Sequence, residues 1–202
     1  MDGKVGVHGA FEEILDQSDQ RIEISQGHTY TVDGRVYPSV TQVIGEVLST
    51  EKCFYTPESR DRGIDVHRIT AEIDSGKSID DSMYRGYVSA YRKFLDECKP
   101  RWTFVEQKFF EPVWKYCGTV DRVGYILGKN VIVDIKTGSV PYWAGIQLAA
   151  YERGFPVGKL QHRYALQLFE TGRYKLHPFT DPNDIRIFHS ALTIYYWKKS
   201  KH

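Results

Sequence analysis

One short run limits this chain more than any other: Val131-Ile132-Val133-Asp134-Ile135-Lys136, an apolar strand with a carboxylate and an ammonium set into it. Alternate residues of a strand share a face, so Asp134 and Lys136 point the same way. The stretch before it, Gly118 to Leu127, carries Asp121 and is folded back alongside by a turn at Gly128-Lys129. Such a hairpin brings two carboxylates and an ammonium to one patch at a sheet end. An isolated buried charge is expensive, and two arrangements relieve it. Either Asp134 and Lys136 form a structural ion pair with Asp121 incidental at a surface, or the carboxylates hold a hard cation, Mg2+ or Mn2+, that keeps positions open for water and a phosphate group. Spacing alone leaves both open.

The rest of the chain supplies what such a hairpin needs around it. His28 to Tyr37 alternates about Asp33-Gly34 and predicts a second hairpin. Ser39 is placed to cap a short helix over Val40 to Leu48. Helices follow from about Pro57 to Ile73, stopping near Gly76, and from about Asp81 to Cys98, where Tyr84, Tyr87, Val88, Tyr91 and Leu95 share a face. Strands are expected over Trp102 to Phe110, Val113 to Cys117, His162 to Phe169 and Tyr174 to Phe179. Tyr142 to Arg153 and Asp184 to Lys199 read as helices, the first ended by Gly154-Phe155-Pro156 and the second basic at its end, as the helix dipole favours. The expected fold is α/β: a central mixed β-sheet flanked by helices. A length of 202 residues fits one domain over 1–202, with a mainly helical part and a hairpin in 1–100 and the sheet with its helices in 101–202.

Charge and cysteine usage remove several classes. The 27 basic and 26 acidic residues nearly cancel, which neither demands nor excludes a nucleic-acid partner. No apolar run is long enough to span a bilayer. The N-terminal MDGKVGVHGAFEEILDQ has early acids and no apolar core of a secretion signal, so a cytoplasmic location is expected. Cys53, Cys98 and Cys117 are odd in number and far apart, which argues against a zinc ribbon or a disulfide framework.

The series Asp121, then Asp134-Ile135-Lys136, then Gln147 and Tyr151 resembles the PD-(D/E)XK nuclease superfamily, and within it the RecB-type branch. Arg62-Gly63-Ile64-Asp65-Val66-His67 is similar to that branch's helical His motif, and Gln147-Leu148-Ala149-Ala150-Tyr151 to its last motif. Tyr37-Pro38-Ser39-Val40-Thr41 also looks like a stretch of phage exonucleases and of the mitochondrial genome maintenance exonuclease. The resemblance runs from about Tyr30 to Lys199. It departs from the pattern at Val120-Asp121-Arg122, where a literal Pro-Asp is absent, and in lacking the four cysteines of the members that carry an iron–sulfur cluster, so no cluster is expected.

That resemblance implies a restriction-endonuclease-like core and a Mg2+- or Mn2+-dependent DNA exonuclease. It would act on single-stranded ends in phage or bacterial DNA replication, recombination or repair. The alternatives are a structure-specific endonuclease and a DNA-binding module of the same fold that no longer cuts. It implies Asp121, Asp134 and the Ile135 carbonyl as metal ligands, Lys136 as the group that orients water or steadies the transition state, and His67 as a further ligand. Gly63 would then let the helix approach the sheet closely. A hydrogen-bonded core histidine is the plain alternative for His67. Glu106 is either an additional metal ligand or the outward residue of a strand, and Glu111 is expected in solvent. Gln147 and Tyr151, four apart on one helix face, would hold Lys136, water or a phosphate, or else simply pack. Candidate DNA contacts are Arg60, Arg62, Lys115, Arg122 and Arg163 for phosphates, and Tyr142 and Trp143 for stacking on unpaired bases, worth about 1–3 kcal/mol per base. Ser39 and Thr41 are a helix cap or a backbone contact.

Overall fold

A computed structural model describes residues 21–25, 29–48, 56–155 and 162–201. The N-terminal acidic segment, His28, Cys53 and Pro156, used above, lie outside the described residues. Among those described there are five helices and two sheets. Strands β1 (Ile22–Ile24), β2 (Tyr30–Val32) and β3 (Arg35–Tyr37) form a small antiparallel sheet in that order. Helices α1 (Val40–Val47), α2 (Pro57–Asp74) and α3 (Arg85–Cys98) follow. Strands β4 (Arg101–Glu111), β5 (Tyr116–Ile126) and β6 (Lys129–Lys136), helix α4 (Ala144–Gly154), strands β7 (His162–Leu168) and β8 (Tyr174–Phe179), and helix α5 (Asp184–Lys199) complete the chain.

The five-stranded sheet runs β4-β5-β6-β7-β8, antiparallel except for the β6/β7 pair that α4 connects. It is a mixed sheet with helices on both faces, as the element order implied. Val131, Val133 and Ile135 of β6 pack with Val66, Tyr87, Tyr91 and Phe94 of α2 and α3. Ile132 faces the other way, into a core with α1, α4 and α5, and alternation therefore puts Asp134 and Lys136 on the α4 side. A third cluster, Tyr30, Val32, Phe110 and Cys117, fastens the small sheet to the end of the large one.

Local chemistry accounts for most boundaries. Ser39 caps α1 with a reciprocal pair: its Oγ accepts from Gln42 N at 3.1 Å and its N donates to Gln42 Oε1 at 3.3 Å. Thr56 caps α2 ahead of Pro57. Three expectations shift. The β5–β6 turn falls on Leu127-Gly128, one residue early, because a two-residue turn of this hand needs both central residues left-handed; their φ angles are 50° and 78°. No separate strand exists at Val113: residues 112–115 form the β4–β5 turn, closed by Lys115 N donating to Glu111 O at 2.8 Å, and β5 begins at Tyr116. Helix α3 starts at Arg85, since Asp81 to Tyr84 is a turn. No helix among the described residues is long and apolar enough to cross a membrane.

Candidate metal centre

The site lies where β5 and β6 part. Their ladder ends at Arg122↔Val133, which leaves the Ile135 N–H without a strand partner. The Asp121 carboxylate takes that place: its Oδ2 accepts from Ile135 N at 2.6 Å. From the α2 face His67 reaches the same point. Its Nε2 lies 2.9 Å from Ile135 O, and a carbonyl only accepts, so Nε2 carries a proton. Its Nδ1 then faces two carboxylates, Asp121 Oδ2 at 3.5 Å and Glu106 Oε1 at 3.7 Å. His67, Glu106 and Asp121 each offer a ligand atom, and these atoms lie within 4.8 Å of one another.

Glu106 is held there against its backbone preference. It sits inside β4 with φ at 50°, a left-handed conformation that costs a residue other than glycine about 1–3 kcal/mol and persists only where the surroundings over-determine it. Arg122 supplies the restraint. Fully buried, it donates from Nη1 to Glu106 Oε1 at 3.0 Å and to the Asp121 carbonyl at 2.7 Å, from Nε to Asp74 Oδ2 at 2.6 Å, and from Nη2 to Thr70 Oγ1 at 3.0 Å. Tyr91 OH donates to the same Asp74 oxygen at 2.7 Å. Asp74 and Thr70 were not foreseen, although the sequence held a signal: His67, Thr70 and Asp74 fall at i, i+3 and i+7, one face of α2.

On the α4 side Lys136 Nζ is 2.7 Å from Asp134 Oδ2 and donates to Gln147 Oε1 at 3.1 Å, while Gln147 Nε2 donates to Tyr151 OH at 2.9 Å. The ring of Trp143 lies 5.7 Å from Nζ. The motif residues Asp134, Lys136, Gln147 and Tyr151 therefore form one chain of contacts, adjoining the His67 group. Asp134 itself pairs with Lys136 and stands outside the three-residue ligand set.

Electrostatics separate the two halves. Asp74 is matched by Arg122 and Asp134 by Lys136, whereas Asp121 has one imidazole and Glu106 shares that ring and Arg122. Burial pushes the carboxyls of Asp121 and Asp134 upward; His67 opposes this at Asp121, and Lys136 at Asp134. Burial works against charging His67, but Asp121 and Glu106 outweigh it and raise its pKa to about 9. The proton on Nδ1 thus stands where a cation is called for. One imidazole nitrogen, two carboxylates and a carbonyl with a second lone pair are donors that fit a divalent cation.

Several expectations need correcting. Arg122 and Arg163, expected at the rim, are inside: Arg122 as described, and Arg163 with Asp184, Glu152 and two backbone carbonyls. Glu111, expected in solvent, is buried and accepts from Trp114 N. Gly63 is not needed for close approach, since a Cβ there would meet only Thr137 Oγ1 at 3.9 Å, an ordinary contact. Ser39 and Thr41 hydrogen-bond to each other at the cap. Arg60 is exposed beside Asp61, Arg62 lies over the Tyr87 ring at 5.7 Å, Lys115 is exposed, and Tyr142 is 81% exposed at the start of α4.

No family model matches the chain, and no curated protein matches it in sequence. Among solved structures, it is similar to an alkaline exonuclease (LHK-Exo) from Laribacter hongkongensis, at 12% identity and a TM-score of 0.45 over 80% of this chain and 87% of that one. It is also similar to the structure of SSO0001, at 12% identity and a TM-score of 0.37 over 63% of this chain and 82% of that one.

Proposed function

We propose that this chain is a divalent-metal-dependent deoxyribonuclease that hydrolyses phosphodiester bonds, acting as an exonuclease at single-stranded DNA ends. The observation that carries the phosphodiesterase part is the excess of carboxylate over cation at His67, Glu106 and Asp121, beside a fixed ammonium. The preference for ends is carried by the resemblance of the motifs.

His67, Glu106, Asp121 and the Ile135 carbonyl would hold the ion, with Asp134 close by. A bound cation supplies Lewis acidity, making water more acidic and offsetting charge on phosphate oxygens. Lys136, fixed between Asp134 and Gln147, places positive charge where negative charge grows on a phosphate under attack; a preorganised charge of this kind needs no rearrangement as the reaction proceeds. Gln147 has its orientation forced: Lys136 only donates, so Oε1 must face it, and the amide Nε2 must face Tyr151. Arg122 keeps Glu106 pointed at the cluster. Tyr142, open to solvent beside Trp143, would stack on an unpaired base.

The test is digestion of end-labelled single- and double-stranded oligonucleotides with Mn2+, with EDTA and Lys136→Ala as controls. Release of terminal nucleotides, abolished by both controls, is expected. Nicking of closed circles with labelled ends left intact would make the enzyme an endonuclease. Absence of any cutting with Mg2+ or Mn2+ would overturn the nuclease reading.

A further inference from the structure

We infer that the cleft beside the metal centre seats a single unpaired nucleotide, its base against Ile24, Tyr30 and Ile64 and its phosphate within reach of Lys77. This deepens the nuclease reading and rests on it. The cleft has a volume of about 660 Å3, within the range of about 300–1,000 Å3 in which proteins enclose small ligands. His67 and Glu106 line it, so a nucleotide held there lies beside the proposed ligand set, with one flanking phosphodiester at that end and the other towards Lys77.

The two walls differ in origin and agree in character. One is a stripe of α2, with Ile64, His67 and Ala71 at i, i+3 and i+7. The other is Ile24 and Tyr30 of the small sheet, with the Tyr30 hydroxyl turned aside to Thr119 Oγ1 at 2.8 Å. Ile64 is 53% exposed and lines the cleft, so its side chain is open to contact with a base held there. The cations of the cleft are unequal. Arg68 is held by Glu72 at 3.2 Å and Asp65 at 3.5 Å, whereas the Lys77 ammonium makes no ion pair among the described residues.

An apolar wall, one uncommitted cation and a carboxylate-rich inner end select among nucleic-acid forms. In a duplex the base faces are covered by their neighbours, and only the backbone could approach. An unpaired base presents its face, and stacking or apolar contact with it is indifferent to sequence. A small phosphate without a base would leave the apolar wall unused.

Ile64→Ser and Lys77→Gln test this; neither residue belongs to the proposed metal group of His67, Glu106 and Asp121 or to the Asp134–Lys136–Gln147 chain. For each, KM for a single-stranded oligonucleotide should rise by about three- to tenfold, in line with one lost base or phosphate contact. Hydrolysis of bis(p-nitrophenyl) phosphate, a diester with no base, should stay within about twofold of wild type, as should Mn2+ affinity. Lys77→Gln should also reduce the slope of log affinity against log salt by about one. In Ca2+, 2-aminopurine at the strand terminus should change its fluorescence on binding, and the change should be lost in Ile64→Ser. Unchanged oligonucleotide KM in both variants, or an equal loss on the small diester, overturns the cleft assignment. A wild-type protein that cleaves neither substrate overturns the nuclease reading instead, and the fluorescence arm then decides the cleft by itself.

Discussion

Two buried charge clusters stand at different places on the same sheet, and they are built to opposite rules. Around Arg163 on β7, two carboxylates meet one guanidinium. Nη1 donates to Asp184 Oδ2 at 3.1 Å and to Gly145 O at 3.2 Å, Nη2 to Asp181 O at 2.8 Å, and Nε lies 3.5 Å from Glu152. Every partner is an acceptor, and the cluster ties β7 to α4 and to the start of α5. Around Asp121 on β5, two carboxylates crowd one side of an imidazole, one of them on a left-handed residue, and the group opens onto a cleft. In the first, a guanidinium meets acceptors on two side chains and two backbone carbonyls; in the second, the Nδ1 proton of an imidazole lies between two carboxylates, where the proposed ion would sit. Burial of charge alone therefore does not mark a functional site. What sets the Asp121 group apart is a left-handed acid held against its preference at the edge of a cleft, and that is what favours it as the proposed metal site.

The contrast is broken most sharply by removing a carboxylate charge at the fork. Asp121→Asn keeps the volume and an acceptor for Ile135 N–H but removes a ligand charge. Turnover should fall by on the order of 10²–10³ or more, the scale of losing one preorganised electrostatic group, and Mn2+ binding measured by calorimetry should weaken with it, while far-UV circular dichroism stays native. Full activity in Asp121→Asn would end its assignment as a ligand. At the other cluster the losses should be reversed. Arg163→Met leaves the Asp184 carboxylate without its guanidinium and should cost about 3–5 kcal/mol of stability, as breaking a buried pair does. Mn2+ affinity and turnover per folded molecule should hold. A stable Arg163→Met protein with impaired metal binding would mean that the two clusters are not distinct in kind.

A smaller effect follows from pH. The folded-state pKa of His67 is raised from 6.5 to about 9, against the pull of burial and because of Asp121 and Glu106. A raised histidine contributes stability that is fully present below pH 6.5 and is lost as pH climbs through about 9. The metal-free protein should therefore melt at a lower temperature at pH 9.5 than at pH 7, by a few degrees. Because the ion and the Nδ1 proton compete, Mn2+ affinity should increase by up to about tenfold per pH unit across that window, with one proton released per ion bound. Affinity independent of pH would show that His67 is not displaced from its proton and is a structural histidine.

How far the site could be read from sequence depends on which interactions are local. The Asp134–Lys136 pairing follows from strand alternation over three residues, and the hairpin that carries Asp121 from apolar runs about a turn. The capping of α1 by Ser39 needed only four residues. What failed was long-range or conformational. Arg122 and Arg163 look like surface arginines until Asp74, 48 residues away from the first, and Asp184, 21 away from the second, are seen to enclose them. Glu106 reads equally as a metal ligand or as an outward strand residue, because no local pattern announces a left-handed acid inside a strand. The register of the β5–β6 turn slipped by one because Gly128 can occupy either central position of a two-residue turn, and the choice is fixed by the pairing of Ile126 with Lys129.

The finest test concerns the balanced half of the site. Tyr151 does not reach the ion group; it touches Gln147 Nε2 and is buried, its hydroxyl kept neutral by that burial. Its role would be to keep the Gln147 amide from turning over, since the reversed amide would present an NH2 group to the Lys136 ammonium. Tyr151→Phe removes one neutral hydrogen bond, worth about 0.5–1.5 kcal/mol, so kcat should fall by only about two- to tenfold, with KM and Mn2+ affinity unchanged. Gln147→Glu, which cannot present a donor to Lys136 in either orientation, should be far less sensitive to the loss of the Tyr151 hydroxyl, so the two substitutions should combine less than additively. Strict additivity would reduce Tyr151 to a packing residue beside Phe109, its ring neighbour at 6.0 Å.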